Sequence, residues 1–193
     1  NIIRVLGQAI ESRDPYTAGH QTKVLEIALA LAQEMGLSKR DIAAIRVAAS
    51  IHDIGKISIP GEILSKPGRL SNLEMLFMRE HPDRGAEMLK DIAFPWPVAE
   101  IIRQHHERWD GSGYPQGLAG EDILLASRVI GVADTIEAMA SHRPYRPAHG
   151  IDLALAEVSS NKGILYDPRV VDACLRLFQR GDFSLEPVRA GEL

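Results

Sequence analysis

The chain has 193 residues, is 45% hydrophobic and 25% charged, and carries a formal charge of -4. That make-up suits one ordinary soluble domain with a sizeable core and excludes disorder, and the negative balance excludes a protein that grips polynucleotide over a broad surface; only a compact cationic pocket for a small phosphate ligand remains. No apolar run reaches the roughly eighteen residues of a membrane span, the first residues lack a signal-peptide layout, and the single Cys174 has no internal disulfide partner. The chain is therefore expected in the cytoplasm, without membrane insertion and with Cys174 packed in the core.

Ile2, Ile3, Leu6, Ala9 and Ile10 have amphipathic helical spacing but no cap ahead of them. This predicts that residues 1–13 are a linker helix, joined in a longer protein to a regulatory domain through which the chain oligomerises. A main domain over 14–180 and an irregular tail over 181–193 follow. After Asp14-Pro15, Val24, Ala28, Leu31 and Met35 predict a helix from about Thr17 to Met35, closed by Gly36, with His20 in its first turn. Ser38 and Asp41 open the next helix as a short capping box, and its stripe of Ile42, Ile45, Ala48 and Ala49 ends at His52-Asp53-Ile54-Gly55-Lys56.

From Gly55 to Leu70 the glycines and prolines predict a loop with one short turn. Ser71 and Glu74 form a second capping box, starting a helix through Leu73, Leu76 and Phe77 that stops near His81-Pro82, because the residue before proline resists the α conformation. One more helical turn is expected through Ala86 and Leu89. Pro97 suits the first position of a helix carrying Val98, Ile101 and Ile102 up to His105-His106. A glycine-rich loop through Gly120 precedes a strongly apolar helix marked by Ile123, Ala126, Ile130, Ala133 and Ile136 and containing Asp134. Helices at Ile151 to about Asn161 and from Asp167-Pro168 complete the pattern. With no strand alternation, the fold is expected to be all-α, an orthogonal multi-helix bundle.

His20, His52, Asp53, His81, His105, His106 and Asp134 then need an explanation. Taken singly, each reads as a capped or surface polar residue. Together they include five of the seven histidines in the chain, nearly all at helix ends, and Asp134 lies among Val132, Ala133 and Ile136, where a carboxylate wants a positive partner. Metal is the economical partner. Imidazole and carboxylate without thiolate favour iron, manganese, nickel or zinc over a structural zinc site, and two ions sharing one aspartate would use the whole set while leaving positions for water and substrate.

The adjacent His52-Asp53, with His20 upstream and Asp134 downstream, resembles the HD superfamily of metal-dependent phosphohydrolases. The run His105-His106-Glu107-Arg108-Trp109-Asp110-Gly111-Ser112-Gly113-Tyr114-Pro115 resembles the signature of its HD-GYP branch, the bacterial cyclic di-GMP phosphodiesterases. The resemblance spans roughly Ser12 to Phe178 and implies an HD-type bundle, with 14–180 as the catalytic domain. It places His20, His52, Asp53 and Asp134 around one ion and His81, His105 and His106 around the second, with Asp53 as the bridge. Lys56 matches the lysine that contacts the scissile phosphate, and Tyr114, Arg143 and Arg146 match positions implicated in holding the ligand; arginine's planar fork suits phosphate. Asp53 and Lys56 thus carry the catalytic roles.

The implied reaction is hydrolysis of cyclic di-GMP to linear pGpG or GMP by a hydroxide shared between two divalent ions, iron or manganese first, nickel or zinc next. The 107–120 loop is implied to contact protein partners, with Gly111 and Gly113 giving positive φ or close approach and Glu107 and Asp110 holding ligands or loop backbone by hydrogen bonds. Some members use a glutamate four residues before the first histidine towards a third metal; here that position is Tyr16, so two metals are expected. Two other readings stand beside this one. The domain could sense a cyclic dinucleotide without turning it over, or act on another nucleotide such as a hybrid cyclic dinucleotide.

Overall fold

The computed structural model describes residues 7, 13, 19–141, 150–181 and 183, and among these the regular elements are helices. The expected all-α bundle is what forms. Helix α1 (His20–Glu34) starts after Gly19, whose φ is 75°, and ends where Gly36 takes φ 67°. The Leu37 and Gly36 N–H groups then return to the carbonyls of Ala32 and Gln33, closing the last turn. The predicted start at Thr17 lies outside the described residues, as do Tyr16, Arg143 and Arg146, nearly all of 1–13 and most of 181–193.

Helix α2 (Lys39–Ile51) has the predicted cap, Ser38 Oγ accepting from the Asp41 N–H at 3.2 Å. His52 ends it. Between Gly55 and Leu70 the chain is more ordered than its glycines and prolines predict: a 3-10 turn (Ile54–Ser58) and the short helix α3 (Gly61–Leu64) occupy it. Helix α4 (Asn72–Met78) has the full capping box of Ser71 and Glu74 but buries no residue. Leu73 and Leu76, which set its predicted stripe, are 66% and 61% exposed. Periodicity reports an apolar face and not what covers it.

The single turn expected through Ala86 is a nine-residue helix, α5 (His81–Leu89). Pro82 does not merely stop the preceding helix; it stands in the first turn of a new one, where its missing N–H costs no hydrogen bond. In α6 (Val98–Arg103), Pro97 is the residue before the helix and not its first. Helix α7 (Leu125–Ala140) follows a 3-10 turn (Gly120–Asp122), and α8 (Ile151–Ser160) and α9 (Pro168–Gln179) complete the order, with Asp167 capping α9 as expected.

Helix α1 packs between α2 and α7, with α9 also against it, and α6 packs on α2 and α5. Their stripes meet in one core that includes Val24, Ile27, Leu31, Ile45, Ala48, Ile102, Ile130, Ile136 and Val171. Each large aliphatic side chain there contributes about 1.5–3 kcal/mol through removal from water. Cys174 belongs to this core, and burial pushes its thiol up to about 12.

Candidate metal centre

The bundle brings all seven predicted cluster residues together. His20 is the first residue of α1, His52 and Asp53 follow α2, His81 opens α5, His105 and His106 lie just beyond α6, and Asp134 projects from the middle of α7. Three sets have potential ligand atoms within 4.8 Å of one another: His20, His52 and Asp134; His81, His105 and His106; and His52, Asp53 and His105.

Two glycines make this convergence possible. A Cβ on Gly55 would lie 1.8 Å from the His81 carbonyl oxygen, so only glycine lets the turn after Asp53 rest against α5. A Cβ on Gly131 would lie 2.9 Å from the His105 oxygen, so α7 reaches the histidine pair only because this position is bare.

The histidines sit at helix ends for a backbone reason. Carbonyls in the last turn of a helix lack an N–H partner. The Nδ1 atoms of His52, His81 and His105 each donate to the carbonyl three residues back, at Ala49 (2.9 Å), Met78 (2.7 Å) and Ile102 (2.6 Å). That bond assigns the proton to Nδ1 and turns the Nε2 lone pair inward, the orientation a cation requires. His52 Nε2 is buried with no hydrogen-bond partner, a cost that a cation would remove.

Asp53 lies between the two halves. Its Oδ1 is 3.3 Å from His81 Nε2, whereas its Oδ2 is 3.6 Å from His52 Nε2, 4.0 Å from His20 Nε2 and 2.7 Å from Lys56 Nζ. Burial opposes its ionisation, but Lys56 and the surrounding imidazoles outweigh this and hold its carboxyl well below the usual range. Asp134, 3.2 Å from His20 Nε2, is lowered in the same way, with His20 as its main partner. Burial, reinforced by His52, lowers His105 to about 3, and burial lowers His81 to about 4 against the pull of Asp53. His106 is also driven well down, by desolvation and then by His105 and His81. These three imidazoles are neutral at pH 7 and offer lone pairs. His20 differs: burial lowers it, yet hydrogen bonds to Asp134 and Glu137 prevail and hold it at about 9.

The donors fit the group the sequence implies. Buried neutral imidazoles, inward Nε2 atoms, two ionised carboxylates and no thiolate suit borderline to hard divalent cations.

The signature loop is fastened from within. Both carboxylate oxygens of Glu107 accept backbone bonds, from Gln116 (2.7 Å), Gly117 (3.1 Å) and Leu118 (3.1 Å), and Asp110 accepts from the Ser112 N–H at 2.9 Å. Glu107 and Asp110 therefore hold backbone. Gly111 has φ 81°, whereas Gly113 is needed for close approach, since its Cβ would lie 2.4 Å from Arg108 N. Tyr114 stacks on His106 with ring centroids 4.8 Å apart and an interplanar angle of 29°. Glu107→Ala would leave three loop N–H groups without acceptors, so we expect a loss of about 2 kcal/mol, read by thermal melting, with faster amide exchange at 116–118.

Two residues escaped the sequence reading. Glu137 is buried and its carboxylate bonds His20 Nδ1. Arg79 places its guanidinium 5.1 Å from the Tyr114 ring centroid. The signal for Glu137 was its place three residues after Asp134, one turn along the same face of the most apolar helix; Arg79 gave none.

A helical bundle that gathers inward-facing imidazoles around a central aspartate defines a class of metal-centred domain. The chain belongs to the HD domain family: the family model described as "HD domain" matches residues 4–170. Within that family, the run from His105 to Pro115 resembles the signature of the HD-GYP branch. The cyclic di-GMP phosphodiesterase response regulator RpfG of Xanthomonas campestris pv. campestris is 45% identical over 96% of this chain and 51% of its own length. A 3'3'-cGAMP-specific phosphodiesterase 3 of Vibrio cholerae is 36% identical over 86% of this chain and 36% of its own. A solved cyclic GMP-AMP-specific phosphodiesterase of V. cholerae (V-cGAP3) superposes with a TM-score of 0.70 at 19% identity, over 92% of this chain and 48% of that one, which is a likeness of fold. The chain thus spans about half of the first of these curated relatives and about a third of the second.

Proposed function

We propose that this chain is a metal-dependent phosphodiesterase that hydrolyses cyclic di-GMP to linear pGpG or GMP. His20, His52, Asp53 and Asp134 would hold one divalent cation, and His81, His105 and His106 the other, with Asp53 shared. The observation that carries this reading is the division of Asp53, one oxygen facing His81 and the other facing His52 and His20. The relative named for cyclic di-GMP supports the substrate. Iron or manganese suits the donor set best, with nickel or zinc next.

When bound, such ions would supply Lewis acidity to the phosphoryl oxygens and an acidified water as nucleophile. The chain's own residues do the rest. The three backbone-anchored histidines keep their donor atoms aimed at the centre without reorganisation. Lys56, with its side chain 14% exposed beside Asp53, is the cation that a phosphoryl oxygen entering the site meets. Tyr114 walls the His106 side, and Glu107 keeps that wall in place. Arg143 and Arg146 are proposed to hold the ligand, on the strength of the family resemblance.

A purified sample should hold close to two metals per chain, because Tyr16 replaces the carboxylate a third would use; a reproducible three by elemental analysis would overturn this. The function is tested by product analysis with cyclic di-GMP and cyclic GMP-AMP side by side, under reducing conditions with defined Mn2+ or Fe2+. Linear dinucleotide or GMP from cyclic di-GMP supports the proposal. Preference for the hybrid nucleotide, which the V. cholerae relative's name favours, would shift the substrate. Tight binding without products would make the domain a sensor. We further propose a cytoplasmic catalytic domain over 14–180 that follows a linker helix, meets protein partners through the 107–120 loop and oligomerises through a regulatory region.

A further inference from the structure

The two halves of the cluster differ in what stands behind their ligands. Around His81, His105 and His106, the outer partners that the structure gives are neutral backbone carbonyls, Met78 behind His81 and Ile102 behind His105. Around His20, His52 and Asp134 there is a carboxylate inside the set, and a second, Glu137, bonded to the outer nitrogen of His20. The Glu137 side chain is 3% exposed and that of His20 5%, so water screens this pair little. Lys56 sets one positive charge against Asp53 Oδ2 on the same side. Asp53 faces both halves, so what distinguishes this half is Asp134 inside the set and Glu137 behind His20.

We infer that the two cation positions are unequal, and that Glu137 is the positioning residue that makes the His20–His52–Asp134 half fill first and more tightly. A cation taking His20 Nε2 displaces the proton shared there with Asp134; Glu137, accepting from Nδ1, then fixes the ring and makes Nε2 a more basic donor than a carbonyl does. The half built from His81, His105 and His106 fills second and exchanges its ion more readily. Occupancy of that weaker half, rather than of the centre as a whole, then follows the free metal concentration. This inference rests on the two-cation reading of the site.

The test is calorimetric titration of the metal-free full chain with Mn2+ alone, in the absence of nucleotide. Wild type should give two resolved steps, the first at least about tenfold tighter than the second. Glu137→Gln, which keeps the size and removes the charge, should weaken the first step by about 10- to 100-fold and leave the second within error. Glu137→Asp should recover part of the loss. His106→Ala, at a residue that groups only with His81 and His105, should remove the second step and spare the first. Melting curves of the metal-free variants, expected to match wild type to within a few degrees for Glu137→Gln, guard against misfolding as the cause. Two equal steps in wild type, or a Gln variant that weakens both steps or neither, would overturn the inference while leaving the two-cation site intact. Absence of any Mn2+ binding by folded wild-type protein would overturn both.

Discussion

Asp53→Ala is expected to abolish turnover, by roughly 10^3-fold or more, and to strip metal from both halves of the centre. The geometry makes this the most damaging single change in the cluster. His81 Nε2 loses the oxygen at 3.3 Å, His52 loses the one at 3.6 Å, and the Lys56 ammonium, 2.7 Å away, loses a counter-charge in a largely buried place. Among the described residues, Asp53 is the carboxylate whose oxygens come within 4.0 Å of imidazole nitrogens of both groups. His106→Ala supplies the contrast, because His106 groups only with His81 and His105 and its loss should spare the metal held by His20, His52 and Asp134. Elemental analysis beside the activity assay reads the difference. Near-normal turnover by an Asp53→Ala protein shown to be free of metal would refute the assignment of this centre as catalytic.

The cluster was legible because its chemistry is written in local runs. His52-Asp53 and His105-His106 are adjacent pairs at the ends of helices whose stripes are plain, and the glycine loop that follows the second pair is unmistakable. Their common physical device is the imidazole that caps a carbonyl three residues back, which ties a ligand's orientation to the helix end that sequence can already locate. Glu137 was not legible in this way. A glutamate on a helix is ordinarily solvated, and only the packing of α1 against α7 turns it towards His20 across 117 positions of chain. Helix α4 is the opposite case: Leu73 and Leu76 mark the helix correctly, yet they stand 66% and 61% exposed. Pro82 marked a boundary correctly but hid the helix that begins there, since proline is tolerated in a first turn. In each case the local signal named the element, and a long-range contact, or its lack, decided what that element does.

Gly55→Ala should be the most destabilising single methyl that can be added near the site. The added carbon would meet the His81 carbonyl oxygen at 1.8 Å, the Gly85 nitrogen at 2.6 Å and the His81 carbonyl carbon at 2.8 Å, all of them backbone atoms that cannot rotate away. Relief requires the turn Ile54–Ser58 to lift from α5 as a unit, separating Asp53 from His81. Overpacking of this kind costs about 3 kcal/mol, which for a chain of this size lowers the melting temperature by roughly 6–12 °C. Gly61→Ala is the matched control, because a Cβ there meets nothing within 4 Å; it should change stability by no more than about 0.5 kcal/mol. The two variants also separate fold from site. Below its melting point the Gly55→Ala protein should remain helical by circular dichroism yet retain less than one metal per chain, since a shift of even an ångström at Asp53 spoils the oxygen that both halves share. A Gly55→Ala protein with wild-type melting and a full complement of metal would show that the turn and α5 can part without cost, and that the contact between them does not position the centre.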